Sequence, residues 1–292
     1  MGAVTFLRSN ILYIVWFLLY FSIAWFILGA NLNSLIIVTI IYSISIGAAL
    51  SPIGEMLLRL LENCREPATE EELRYLMPLF EEAYQSAKEI NPKINNGIKL
   101  YIMDAMYVNA FAIGRQTVAV TRGAMETFTA DELKGILAHE LGHMNYGHTK
   151  ALLLAFIGNI FFSIIVMLFR LILYTIQFIS SVVAHLNNFN IVVVVFALLA
   201  FIMRVFVNIS VFLFINLSQM ILALNSRANE TQADTFAYEM GYGRELISGL
   251  YVLQKISLNT HVKLIDQMKA THPHTALRIA HLERLENEDL EE

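Results

Sequence analysis

Four long apolar stretches, at residues 11–30, 33–51, 151–184 and 191–224, do most to limit what this chain can fold into. A helix that crosses a bilayer needs about 20 apolar residues, each rising about 1.5 Å, and each stretch is at or near that length or beyond it. With 57% hydrophobic residues, the chain exceeds the roughly 45–50% of a soluble domain, and the excess lies in these stretches. The tight "GANLN" turn joins the first two and "HLNNFN" (185–190) the last two. The sequence therefore predicts an α-helical membrane protein with four transmembrane helices in two hairpins.

The charge distribution orients them. Segments 52–150 and 225–292 hold 17 of the 20 lysines and arginines, Arg8 precedes the first helix, and the turn at 28–33 has none. Basic residues collect on the cytoplasmic side. The expected order is an N-terminal hairpin (1–51), the first part of a cytoplasmic domain (52–150), a second hairpin (151–224) and the second part of the domain (225–292), in a multi-pass protein of the cell membrane. Arg170 lies 19 residues after Ala151, and Arg204 lies 20 before Leu224. Antiparallel helices put both roughly 30 Å from the cytoplasmic edge. Two readings follow: spans near 151–170 and 204–224 with the arginines at the outer interface, or longer tilted spans with the arginines facing the bundle interior.

Other classes are excluded. The net charge is −5 and the basic residues are scattered, so there is no basic field for nucleic acid. Cys64 is the only cysteine, which rules out an intrachain disulfide and a thiolate metal cluster. Phe6 stands where a myristoylation signal has Ser or Thr. Residues 11–30 lack a small-residue cleavage site and read as a retained anchor.

Within 52–150, residues 69–90 have helical periodicity, with Thr69 and Glu72 placed as a capping box. Residues 98–121 alternate in short β-favouring runs and predict two or three strands. "FTADELKGILAHELGHMNYGH" (128–148) then opens with Thr129 as N-cap and Glu132 three residues on, and Ile136, Leu137, Leu141 and Met144 keep helical spacing. On that helix His139 and His143, four apart, point the same way and can share one metal ion. Glu140 lies beside them, positioned to take a proton from an attacking water.

A catalytic zinc takes three protein ligands. His148, five residues past His143 on a different face, is a poor third and reads as an interfacial polar residue. In "NSRANETQADTF" (225–236), Glu230 and Asp234 share a helical face. Glu230 can bind metal while Asp234 accepts a ring N–H from a ligand histidine; spacing alone fits a solvated acidic helix equally well. The hairpin separates the two. His143 lies 8 residues before Ala151 and Glu230 lies 6 after Leu224. Straight helices bring both roughly 9–12 Å above the cytoplasmic face. Asn208, Asn216, Ser218 and Gln219 cluster toward that end of the last stretch, either lining a groove or pairing with Asn159 and Ser163.

The chain resembles the HtpX family of integral-membrane zinc endopeptidases and, more distantly, the membrane CAAX prenyl proteases. The resemblance rests on "VNAFAIGR" (108–115), "TRGAMETFTADELKGILAHELGHMNYGH" (121–148), "SRANETQAD" (226–234) and "THPHTALRI" (271–279). It implies an α+β zincin-like metalloprotease domain holding one Zn²⁺ per chain on His139, His143 and Glu230. Glu140 is the implied general base and Asp234 the partner of a ligand histidine. Asn109 and Ala110 belong to an edge strand that takes the substrate backbone by strand addition. His272 donates to the oxyanion, and Arg278 pairs with a carboxylate such as Asp234. Implied partners are the lipid bilayer and membrane-protein or unfolded polypeptide substrates, in protein quality control. A dedicated maturation protease and a non-catalytic zinc sensor are the alternatives. His274 stands where the family usually has a second proline, and four spans match HtpX rather than the seven of the prenyl proteases.

Overall fold

The computed structural model describes residues 11–186, 191–259 and 275–291. It is mostly helical, with one small sheet. Helices α1 (Ile11–Ile27) and α2 (Leu32–Leu50) are joined by a tight turn, and Asn31 closes a capping box with Ser34 at the start of α2. Ser51 then ends α2 and, as N-cap, begins α3 (Pro52–Leu61), with Pro52 in the first turn. Proline suits that position because its missing N–H would have no helical partner there.

Strand β1 (Cys64–Arg65) leads into α4 (Glu70–Ile90), where Thr69 and Glu72 form the expected box. Residues 98–121 form three strands, β2 (Lys99–Met103), β3 (Ala110–Ile113) and β4 (Thr117–Thr121). The sheet order is β1-β2-β4-β3; β2 and β4 run parallel, and β3 pairs antiparallel with β4. β3 is thus a terminal strand. After α5 (Arg122–Thr127) comes α6 (Ala130–Tyr146), capped by Thr129 with Glu132 reaching back.

Two very long helices follow, α7 (His148–Leu186, 39 residues) and α8 (Ile191–Glu239, 49 residues). Neither breaks at Arg170 or Arg204, and the apolar window Ile191–Ile209 includes Arg204, so no change in the backbone marks the expected limit of a span. The Arg204 guanidinium lies 4.9 Å from the Tyr174 ring centroid and 5.3 Å from that of Phe201, contacts that offset an arginine among apolar neighbours. Because Tyr174 is one turn past Arg170, Arg204 meets α7 within about one turn of Arg170. Among the described residues, Leu32–Leu50 and Ile191–Ile209 are long and apolar enough to cross a membrane.

The main core gathers α4, the sheet, α6, the last third of α8, α9 (Gly243–Asn259) and α10 (Thr275–Glu291) around Phe80, Leu133, Leu137, Phe236, Leu246 and Leu282. This core brings together α6 and the far end of α8, which lie some 90 residues apart in sequence. The long hairpin of α7 and α8 closes that loop.

Candidate metal centre

His139, Glu140 and His143 sit in the second half of α6, His143 in its last turn, and are all buried. Glu230 arrives from α8 and is also buried. Gly142 makes that approach possible: a Cβ there would stand 2.9 Å from the Cα and carbonyl oxygen of Ala233. Any larger residue would push the two helices apart.

The three side chains converge. His139 Nε2 and His143 Nε2 are 3.1 Å apart. Glu230 Oε1 lies 3.2 Å from His143 Nε2, and its Oε2 lies 3.5 Å from His139 Nε2. Tetrahedral coordination at about 2.0–2.2 Å per bond places neighbouring donor atoms roughly 3.3 Å apart, and these spacings agree with it.

The outer nitrogens decide what the inner ones can do. Asp234 Oδ1 lies 2.9 Å from His139 Nδ1; an ionised carboxylate only accepts, so Nδ1 carries the proton and Nε2 a lone pair. On the other side, His143 Nδ1 is 3.0 Å from His148 Nδ1, and His148 Nε2 is 3.1 Å from Gln232 Oε1. Burial and the adjacent His143 push the His148 pKa down to about 3, so the ring is neutral. The Gln232 carbonyl accepts from His148 Nε2–H, which leaves His148 Nδ1 to accept from His143 Nδ1–H. The His143 lone pair then also faces inward, from Nε2. Two lone pairs and a carboxylate at these distances repel one another unless a cation lies between them. The donor set therefore fits a metal ion.

Arg278 closes the outer wall. Its Nε and Nη2 donate to Asp234 Oδ2 and Oδ1 at 2.9 and 2.7 Å, and its Nη1 to Glu230 Oε2 at 3.0 Å. Burial works against the Asp234 charge, but Arg278 and His139 outweigh it and hold the carboxyl far below the usual range. Burial and Arg278 likewise oppose a positive charge on His139, and Asp234 with Glu230 overcome them, so its pKa is raised; the same acidic surroundings favour either a proton or a metal ion on the inward Nε2, and ligation releases that proton. In His143 burial prevails over Glu230 and the pKa falls.

Of the expected residues, His139, His143, Glu230, Asp234 and Arg278 come together in one buried cluster, with Glu140 next to it on α6. Asn109 precedes β3 and Ala110 opens it, at the sheet edge that packs beside α6. Asn109 turns its backbone toward β4, accepting from Thr121 N–H at 3.0 Å. His272 lies outside the described residues.

His148 is a correction. It is 4% exposed and bonded to a candidate ligand, not interfacial. Spacing along one continuous helix turns it away, but α6 ends at Gly147, whose φ of +74° is left-handed. That turn restarts the chain as α7 and swings the ring back; the glycine was the available signal. Gln232, between Glu230 and Asp234 in sequence but turned about 200° round α8 from Glu230, had none.

Residues 71–286 match the sequence profile of peptidase family M48, and the chain belongs to that family. Similar relatives include a protease HtpX homolog of Dictyoglomus turgidum, 34% identical over 145 residues, covering 47% of this chain and 44% of that protein. Another, from Aquifex aeolicus, is 42% identical over 78 residues, 25% of this chain and 24% of the relative. These matches span less than half the relatives' own length. A crystal structure of S. mikatae Ste24p superposes with a TM-score of 0.46 at 19% identity, over 91% of this chain and 62% of that one.

Proposed function

We propose that this chain is a membrane-embedded, zinc-dependent endopeptidase that hydrolyses peptide bonds of membrane or membrane-proximal proteins at the cytoplasmic face, in protein quality control. One observation carries the reading: three inward-facing donors at tetrahedral spacing, with a buried glutamate next to them on the same helix. Four apolar helices in two hairpins anchor a zincin-like domain assembled from 52–150 and 225–292.

His139 Nε2, His143 Nε2 and Glu230 would hold one Zn²⁺, which supplies Lewis acidity and lowers the pKa of a water to about 7. Asp234 and His148 each hold one imidazole in the tautomer that ligation needs. Glu140 accepts the proton of the attacking water and returns it to the leaving amine. The peptide lies along the outer edge of β3 at Asn109 and Ala110, bound through its backbone. His272, by family resemblance, donates to the developing oxyanion. Main-chain recognition suits a protease that accepts many damaged or unfolded sequences.

The test compares purified protein with Glu140→Gln, measuring zinc content and hydrolysis of unfolded polypeptide and of a bilayer-inserted protein. Retained zinc with hydrolysis lost by about 10²-fold or more, the scale of a general base, supports the assignment. Unchanged hydrolysis contradicts it.

A further inference from the structure

Helix α3 has its faces reversed. Ile53, Met56, Leu57, Leu60 and Leu61 follow helical spacing along one side and are between 39 and 65% exposed. Its two charged residues turn inward. Glu55 is 6% exposed and accepts from the backbone N–H groups of Arg115 and Gln116 at 2.5 and 3.2 Å and from Thr117 Oγ1 at 3.3 Å. Arg59 donates to Thr117 Oγ1 at 2.8 Å and lies over the Tyr101 ring. A helix on a water-facing surface shows the opposite pattern, and soluble surfaces avoid contiguous apolar patches of this kind.

Its position names what covers it. Ser51 is at once the C-cap of α2 and the N-cap of α3, so no linker separates α3 from the end of a candidate membrane span. Leu50 at the end of α2 and Ile53 in the first turn of α3 are both exposed, and the apolar surface passes from one helix to the other.

We propose that α3 lies in the plane of the lipid interface, with Ile53, Met56, Leu57, Leu60 and Leu61 in the acyl boundary, and that Glu55 ties the β3–β4 turn to it. The inference rests on the membrane-protease reading and adds a positioning device to it. The turn is held from the other hairpin as well: Thr149 Oγ1 donates to the Gly114 carbonyl at 2.6 Å, and Ala49, Ile113 and Leu153 pack together beneath it. Edge strand β3 is therefore carried at a fixed height over the lipid, where a segment of a membrane protein first emerges. Interfacial helices of this kind bury their apolar face about 5–10 Å into the headgroup and acyl boundary.

The test places nitroxide labels in full-length Cys64→Ser protein, at Leu60→Cys, at Ile40→Cys within α2 and at Glu71→Cys on α4. The protein is reconstituted in phosphatidylcholine–phosphatidylglycerol vesicles, and collision with oxygen is compared with collision with a water-soluble nickel chelate. Position 60 is expected to favour oxygen and resist nickel, as position 40 does, with position 71 reversed. If 60 behaves like 71, α3 faces water; if 60 is shielded from both, a protein partner covers it; either result overturns the proposal. If 40 also behaves like 71, the membrane reading itself falls. As a second readout, M56E/L60E should lower cleavage of a bilayer-inserted substrate about tenfold, the scale of one exposed leucine's transfer free energy, and leave cleavage of a soluble unfolded one unchanged. Equal loss on both substrates would remove the positioning role.

Discussion

His139 and His143 leave the same face of α6 one turn apart, yet their surroundings differ in kind. His139 is backed by an ionic wall, Asp234 and the Arg278 that also grips Glu230. His143 is backed by a neutral relay, His148 and Gln232. Both walls draw on α8, from residues two apart, and both leave the imidazole with its Nε2 lone pair inward. The difference teaches that tautomer control does not need charge. Charge on one side only serves another purpose: Arg278 offsets two buried carboxylates and holds Glu230 in place, and a second ionic wall would add a desolvation cost with nothing left to neutralise.

The sharpest way to break the comparison is Arg278→Ala, which leaves Asp234 and Glu230 buried without their shared cation. Stability should fall by about 3–5 kcal/mol, read by denaturant unfolding in detergent. Arg278→Lys should recover only part, because an ammonium cannot make the two-pronged contact. A loss no larger than that of Gln232→Ala would mean that the walls are equivalent.

His148→Ala and Asp234→Asn probe the walls one at a time. Each should weaken metal affinity by about 10- to 100-fold, measured by competition with a chromophoric chelator. Unchanged affinity in His148→Ala would mean that the neutral relay does not hold His143 for the metal. Gly147→Ala sharpens the same point from the backbone: a non-glycine residue at φ +74° costs about 1–2 kcal/mol and should lower metal affinity along with the melting temperature, since the turn aims His148.

A weaker ionic group nearer the surface sets the scale. Arg65 and Arg122 both pair with Glu72 and Asp104 at 2.6–2.9 Å. Arg65 foremost holds the Glu72 carboxyl well below the usual range, and Arg65 with Arg122 lowers Asp104 to about 2. Depressed folded-state values mean that this stabilisation is complete above the unfolded carboxylate pKa of about 4 and is lost as pH falls toward 2. Glu72→Gln should therefore flatten the decline of the melting temperature between about pH 4 and 2. The effect should be smaller than that of Arg278→Ala, because two of the four partners are a third exposed and a third is half exposed.

Much of this was legible in the sequence because it rests on local rules. Thr69 with Glu72 and Thr129 with Glu132 declare two helix starts, and "HELGH" fixes two imidazoles and a carboxylate by spacing alone. Glu230 needed a longer step, in which the two arms of one hairpin bring remote residues to one height. What stayed hidden depends on turns and packing. Periodicity carried through Gly147 points His148 the wrong way, because one left-handed residue resets the helix phase. Gln232 and Glu55 look like solvated polar residues until the partners across the fold are known. The arginines at 170 and 204 allow either a span that ends at them or a longer one that includes them, and the continuous helices α7 and α8 are compatible with both.

The most direct measurement of the central claim is zinc K-edge X-ray absorption on the purified protein, alongside Glu230→Ala. The unaltered chain should hold one zinc, with two imidazole nitrogens and oxygen donors at about 2.0–2.2 Å, and the variant should show markedly lower occupancy. A site with three imidazoles, a sulfur donor, or equal occupancy in Glu230→Ala would contradict it.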